Sequence, residues 1–321
     1  MRLRRYILFR VLQLVPVVLV VIALNFFLIH LAPGDVSILL AGEDANPEYM
    51  REIRATYGLD LPFHEQLLRY FGQVLTGDLG FSYRSRQPVI DELMARVPAT
   101  LLLVGSSLLI AVVIGTWGGT MIARRPGSFV DTAVSTLSIS LFSIPVFWLG
   151  LMLILFFGVE LRLLPSSGMW TVGGPREGLP MVLDLLVHLV LPVATLSTVW
   201  IGQYIRLART SVSEVLAESY ITTVRAIGFP ERRVLLHYGL RNALLPIVTV
   251  LGLQLGLILT GAVLTETVFS WPGLGREIYE AILARDTPVI MGAFILMSFT
   301  VALASLVTDL LYAALDPRVK L

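Results

Sequence analysis

Few residues in this chain have types and spacings that could do chemistry, and the first to weigh is lysine. Among 321 residues there is one, Lys320. A phosphate-binding loop of the form G-x-x-x-x-G-K-[ST] needs a lysine to reach the phosphates, so no stretch of the chain can hold a nucleotide in that way. The four histidines, His30, His64, His188 and His237, are far apart in sequence. No H-E-x-x-H pair exists, which removes the helix-borne zinc hydrolase. Cysteine is absent, so disulfides, thiolate catalysis and zinc–thiolate sites are excluded. Ser106, Ser107, Ser135, Ser138, Ser140 and Ser143 carry hydroxyls but have no lysine base to activate them. Serines in that pattern read as helix packing or pore lining. No catalytic residue, metal ligand or cofactor-binding residue is assigned.

The elements that must position the remaining polar groups are set by composition. Hydrophobic residues make up 56% of the chain, charged residues 15%, and the mean hydropathy is +0.80. Soluble domains carry roughly 25% charged residues. Six apolar runs, at 11–32, 99–123, 133–159, 185–205, 243–265 and 289–308, each approach the roughly 20 residues needed to cross a bilayer as a helix. The fold class expected is therefore an all-α polytopic membrane protein with six transmembrane helices. The first run ends in His30-Leu31-Ala32-Pro33 and is longer than a cleavable signal core, so it reads as an uncleaved anchor. With the N-terminus inside, 14 basic residues fall on inside segments and four (Arg162, Arg176, Arg276, Arg285) on short outside loops. That imbalance puts both termini in the cytoplasm. The net charge of +1 and the scattered basic residues give no nucleic-acid surface.

None of the six runs contains Asp, Glu, Lys or Arg, which argues against an ion-coupled carrier, whose function needs such groups inside the membrane. Asn25, Ser140, Ser143, Gln203 and Gln254 are polar within the runs; they either line a pathway or bond across helices. Gly115-x-x-x-Gly119 and Gly252-x-x-x-Gly256 predict close helix packing. Pro16, Pro145 and Pro192 are expected to kink their helices.

Segment 33–98 is expected to form a helical insertion outside the membrane. Asn46-Pro47 reads as an N-cap followed by proline at the first helical position, and Gly58 as the stop. Pro62 opens a second amphipathic helix and Pro88 a third. Their apolar stripes serve either packing on the membrane and its helices or docking of an outside partner. In segment 265–288, Trp271 is expected to anchor at the headgroup level, ahead of a short amphipathic helix with Ile278, Ala281 and Ile282.

The most informative segment is the inside connection 206–241, too long for a turn and too patterned for disorder. Val212, Val215, Leu216 and Ser219 share one helical face. Ala226-Ile227-Gly228-Phe229-Pro230 breaks that helix, and Pro230 opens a second with Val234, Leu235 and Tyr238 on one side. Two short helices with a corner, pinned at both ends by spanning helices, form a lever; the alternative is a surface loop whose arginines bind anionic lipid.

The stretch from Glu218 to Gly228, followed by Leu240-Arg241-Asn242-Ala243-Leu244-Leu245-Pro246, resembles the cytoplasmic "EAA" loop of ABC-importer permeases, most of all the dipeptide/oligopeptide (and nickel) branch. Pro33-Gly34-Asp35, Tyr57-Gly58-Leu59-Asp60-Leu61-Pro62, Gly77-Asp78-Leu79-Gly80-Phe81-Ser82, Arg96-Val97-Pro98-Ala99-Thr100-Leu101, Ser143-Ile144-Pro145-Val146-Phe147-Trp148, Phe269 to Arg276 and Leu315 to Val319 extend the resemblance along the chain. Two departures stand out: Ile227 occupies the place where the family often has lysine, and the Glu-Ala-Ala triplet is not preserved. Gly228 is left as the surest anchor.

The resemblance implies a permease subunit of the bacterial inner membrane. Its partners would be a second homologous permease, two cytoplasmic ATPase subunits that bind ATP and Mg, an extracytoplasmic solute-binding protein and membrane lipid. It divides the chain into a tail and first helix (1–32), an outside insertion (33–98) and a five-helix core (99–321) with its coupling loop at 206–241. Glu218, Arg225, Ala226, Gly228, Phe229, Pro230, Arg232 and Arg233 would contact an ATPase. The cargo implied is a dipeptide or oligopeptide, with nickel, glutathione or another small solute as the alternative.

Overall fold

The computed structural model describes residues 3–31, 37–38, 46–82, 84–258 and 262–315. Pro33-Gly34-Asp35 and residues 316–319 of the terminal motif lie outside the described residues. The described chain is helical, with one isolated antiparallel bridge between Phe81 and Pro88.

The first run lies in α1 (Leu3–Leu31). The insertion then supplies α2 (Pro47–Tyr57) and α3 (Phe63–Leu75). The Asn46 side chain accepts the Tyr49 N–H at 2.7 Å, and Gly58 closes α2 at φ 62°, a left-handed position that glycine adopts at little cost. Phe63 and Tyr70 of α3 pack their rings on Phe26 of α1, and His30 Nε2 donates to Gln66 Oε1 at 3.0 Å. These contacts clamp the end of α1 to the insertion.

The third amphipathic segment and the second apolar run are one helix, α4 (Val89–Ile122), which passes through Pro98 without a break. Beyond it come α5 (Phe129–Ser143), α6 (Val146–Glu160, ending in a π-helical turn) and α7 (Gly178–Leu216). Next are α8 (Ser219–Ala226) and α9 (Glu231–Gly256), whose stretch Val234–Leu240 is π-helical. Then follow α10 (Val263–Val268), α11 (Leu274–Leu283) and α12 (Thr287–Leu315).

Four of these helices, α4, α7, α9 and α12, are long and apolar enough to cross a membrane. The run 133–159, expected as one kinked span, is instead two helices bent by 95°. Ile144 precedes Pro145 and is extended at ψ 126°, since a residue before proline is driven out of the helical region. The run 243–265 is also redrawn: its helix starts at Glu231 and ends at Gly256, and α10 is separate.

Glycine notches fix the packing around α7. A Cβ on Gly115 or Gly119 would collide with Tyr204 or with the Ile205 carbonyl of α7, and one on Gly202 would stand 2.7 Å from the Ser138 carbonyl of α5. Gly252 of α9 faces Thr308 of α12 just as closely. The largest apolar cluster beside α7 gathers Leu108, Ala111, Tyr204, Ala208 and Ile247, so α4, α7 and α9 form the centre of the bundle.

Trp271 is not an interfacial anchor. It is fully buried against Ala99, Leu103, Leu189 and Val193, and its indole N–H donates to the Ala99 carbonyl at 2.8 Å. The cause is Glu266, also fully buried. Its carboxylate accepts from the Thr100 hydroxyl at 2.8 Å and from the Arg276 N–H at 2.9 Å. The Thr100 oxygen in turn accepts the Leu274 N–H at 2.7 Å. This network pulls the Trp271–Arg276 turn into the bundle. Burial pushes the Glu266 carboxyl above the usual range, against the opposite pull of its donors.

Candidate coupling site

The corner is built between α7 and α9, two of the helices long enough to span a membrane. The expected continuous face Val212–Ser219 is interrupted: α7 ends at Leu216, Glu218 is extended at ψ 146°, and Ser219 starts α8. The connection between long helices is therefore shorter than the expected 206–241. It comprises residues 217–230, with α8 as a strap across it.

The strap is held on its inner face by Ile221, which is fully buried, and by Tyr220. The Tyr220 hydroxyl donates to the Tyr238 carbonyl at 3.1 Å and accepts from Asn242 Nδ2 at 2.8 Å. Val212, Leu235, Ala243 and Ala123 form the apolar seat beneath. A Cβ added to Gly239 would stand 3.2 Å from Leu216 Cδ2, so the π-helical stretch packs closely on the end of α7.

The eight candidate coupling residues all lie on or beside this corner. Glu218 stands at the N-terminus of α8, and its carbonyl accepts the Ile221 N–H at 3.0 Å. Arg225 and Ala226 end α8. Gly228 makes the turn at φ 92°, and a Cβ there would meet nothing within 4 Å. Pro230 opens α9. The Arg233 guanidinium covers the Phe229 ring at 4.7 Å, a contact that holds the ring in place. Arg232 is exposed. The apex Ile227 is 69% exposed, so an apolar side chain projects where the family often has a cation.

The corner also contains a pair that the sequence reading missed. Arg225 Nε donates to Glu231 at 2.9 Å across the turn. Both groups are largely exposed, and such pairs are worth about 0–1 kcal/mol. The spacing of six residues across a Gly–Phe–Pro turn gives no helical signal for it.

The candidate pathway residues divide. Gln203 and Gln254 meet: Gln254 Nε2 donates to Gln203 at 3.1 Å, and the buried Tyr204 hydroxyl donates to Gln254 at 2.7 Å. Ser140 and Ser143 are exposed on α5, and each hydroxyl donates to its own helix, to the Thr136 and Ile139 carbonyls. Asn25 is buried on α1, and its amide nitrogen has no hydrogen-bond partner among the described residues. The structure thus joins the two glutamines and leaves the other three apart from them.

A second group missed by sequence lies at the far end of the bundle. Arg84 pairs with Glu277 and, at 3.1 Å, with Glu280, while Arg96 reaches Glu277 at 3.0 Å. Ser82 donates to the buried Asp286 at 2.6 Å. These bonds tie the insertion to α11. Partners almost 200 residues apart leave no local pattern to read.

Comparison with known proteins adds an independent finding. Residues 111–321 match the family model described as binding-protein-dependent transport system inner membrane component, and residues 3–104 match its N-terminal companion. The dipeptide transport system permease protein DppB of Escherichia coli K12 is 38% identical, with 98% of each chain covered. The probable D,D-dipeptide transport system permease protein DdpB of the same strain is 41% identical over 95% of this chain and 94% of its own. The glutathione transport system permease protein GsiC of Escherichia coli O6:H1 is 39% identical over 98% of each. Among solved structures, an inward-facing form of the MetNI methionine ABC transporter aligns with TM-score 0.52 at 20% identity, covering 70% of this chain and 96% of that one; this likeness concerns the fold alone.

Proposed function

The chain belongs to the family of binding-protein-dependent transport system inner membrane components, and from that premise we propose that it is one of two similar permeases in an ATP-driven importer of dipeptides or oligopeptides. It is a multi-pass membrane transport subunit, not an enzyme. On the proposed reading, α1 and the bent α5–α6 pair complete six crossings, both termini and the 217–230 corner face the cytoplasm, and the insertion faces the binding protein. Two ATPase subunits bind ATP and Mg, and one of them receives the corner around Gly228. Closure of the ATPase pair displaces the corner and, through α7 and α9, switches access to the pathway.

The observation that carries this reading is the corner itself. Its apex is exposed and uncovered by the described residues, while its far flank is the first turn of a spanning helix. A loop serving only to join two helices has no need of a buttressed, outward-facing elbow.

Reconstitution tests it. Proteoliposomes holding the chain, its partner permease, the ATPases and the binding protein should accumulate a labelled dipeptide only with ATP and binding protein present. Competition by unlabelled peptides, glutathione and nickel reads the cargo. Uphill transport or nucleotide hydrolysis by the chain alone would overturn the proposal.

A further inference from the structure

Near its C-terminal end, α7 grips three neighbours within five residues. Ala208 fits against Gly119 of α4, 2.8 Å from where a Cβ on that glycine would stand. Val212 is buried with Leu235 and Ala243 of α9. Between them, Arg209 forks onto Asp131 of α5, Nε to one carboxylate oxygen and Nη2 to the other, both at 2.7 Å.

The third grip differs in kind from the other two. Apolar packing is non-directional, whereas a two-point guanidinium–carboxylate bond fixes position and angle together. Asp131 is itself built into α5. It lies in the first turn, where the helix dipole favours a negative charge. It accepts the Gly127 N–H at 2.8 Å, is approached by the Ser135 hydroxyl at 3.4 Å, and is 3% exposed. Moving Arg209 therefore moves α5.

α5 has few other ties. It packs chiefly on α7, with a second seat where Gly202 meets Ser138. Past Ser143 the chain turns through 95° into α6, which packs on α7 and α10.

We propose that Asp131 and Arg209 are positioning residues for transport: their fork is the joint through which α7, displaced by the corner, carries the bent α5–α6 pair between its two positions. This rests on the coupling role argued above. Without the fork, α7 is joined to α5 by packing alone, and less of each ATP turnover is converted into movement of the α5–α6 pair.

The test uses the complete transporter carrying D131N, R209Q, both together, or R209K. Solute moved per ATP should fall about tenfold in each of the first two, less than truncating one partner of a fully buried pair would cost, because Arg209 is a third exposed. ATPase activity without binding protein should stay near wild type. The double variant should be no worse than the poorer single, because one joint is lost only once. R209K, which keeps the charge but not the fork, should fall between and serves as the reading if a stronger variant does not fold. Wild-type coupling in the singles, or losses that multiply in the double, would overturn the proposal.

A second measurement needs only the permease. The chain has no cysteine, so spin labels at the exposed F129C and T210C positions report the α5–α7 spacing cleanly. The distance distribution should broaden in D131N and R209Q; an unchanged distribution refutes the joint. If the wild-type complex shows no solute-dependent ATP turnover, the coupling reading fails, while the label spacing still reports on the fork.

Discussion

Gly228→Ala and Gly228→Trp, read against each other, separate backbone strain from bulk at the corner. Gly228 sits at φ 92° with open space where a side chain would begin. Holding a residue other than glycine in a left-handed conformation costs about 1–2 kcal/mol. That strain arises at Cβ and is nearly the same for alanine and tryptophan. Within the isolated permease the two variants should therefore melt together, since nothing lies within 4 Å of where a side chain would begin. Bulk matters only if another surface encloses the apex. Overpacking a fitted contact costs about 1–3 kcal/mol, roughly a 5- to 150-fold change in affinity on top of the alanine effect. The assay is binding of the purified ATPase subunits to the detergent-solubilised permease pair, with melting of the permease alone as control. Equal ATPase affinity for the two variants would refute the enclosed apex, whatever their common loss.

Removal of the Tyr220 hydroxyl (Y220F) breaks its bonds to Tyr238 and Asn242 and should loosen the strap by about 0.5–1.5 kcal/mol, seen as faster amide exchange confined to α8. Q254L leaves the Tyr204 hydroxyl and Gln203 without their partner; the expected loss of about 1–3 kcal/mol lowers the melting temperature, whereas loss of uptake with unchanged melting would assign Gln254 to the pathway instead. Glu266 gives a pH signature. Its folded-state pKa is raised by burial, so its contribution is present below the unfolded value of about 4.3 and is lost as pH rises through the folded value. The melting temperature of the wild type should therefore fall relative to E266Q across that interval, and parallel curves would refute it.

Local signals were legible where they are self-contained. Asn46-Pro47 and Gly58 mark α2 at both ends because a cap and a left-handed stop act within one turn. The corner at Gly228 and Pro230 was readable for the same reason. The break in the third run was underestimated: Pro145 alone allows a kink, and the larger bend follows from its extended predecessor, whose conformation a hydropathy run does not encode. Trp271 was misplaced because an aromatic near a membrane edge looks like an anchor; its burial is caused by Glu266, a carboxylate one residue beyond an apolar run and thus a signal available but unused. Asp131 and Arg209 carried local cues too, since Ser128-x-x-Asp131 marks a helix start. Their pairing, across 78 residues, could come only from the packing of α5 on α7.

The same packing decides where motion is possible. α9 runs unbroken for 26 residues from the corner, about 39 Å at the helical rise, and α7 is longer still. Close backbone approaches at Gly115 and Gly119 leave no slack between α7 and α4. A close-packed interior transmits strain rather than absorbing it. Compliance lies where the described chain leaves the helix; on the path from the corner through α7 to α6 these places are residues 217–218, the turn 227–230 and the hinge at 144–145. The first two flank α8, so the strap can tilt as a body when its apex is gripped. The third lies beyond the Asp131–Arg209 fork, on the far side of α5. A displacement entering at Gly228 therefore has a route that ends in the hinge at 144–145. That route passes through α7 and the fork, and this is why the fork, rather than any residue nearer the apex, sets how much of the stroke reaches the pathway wall.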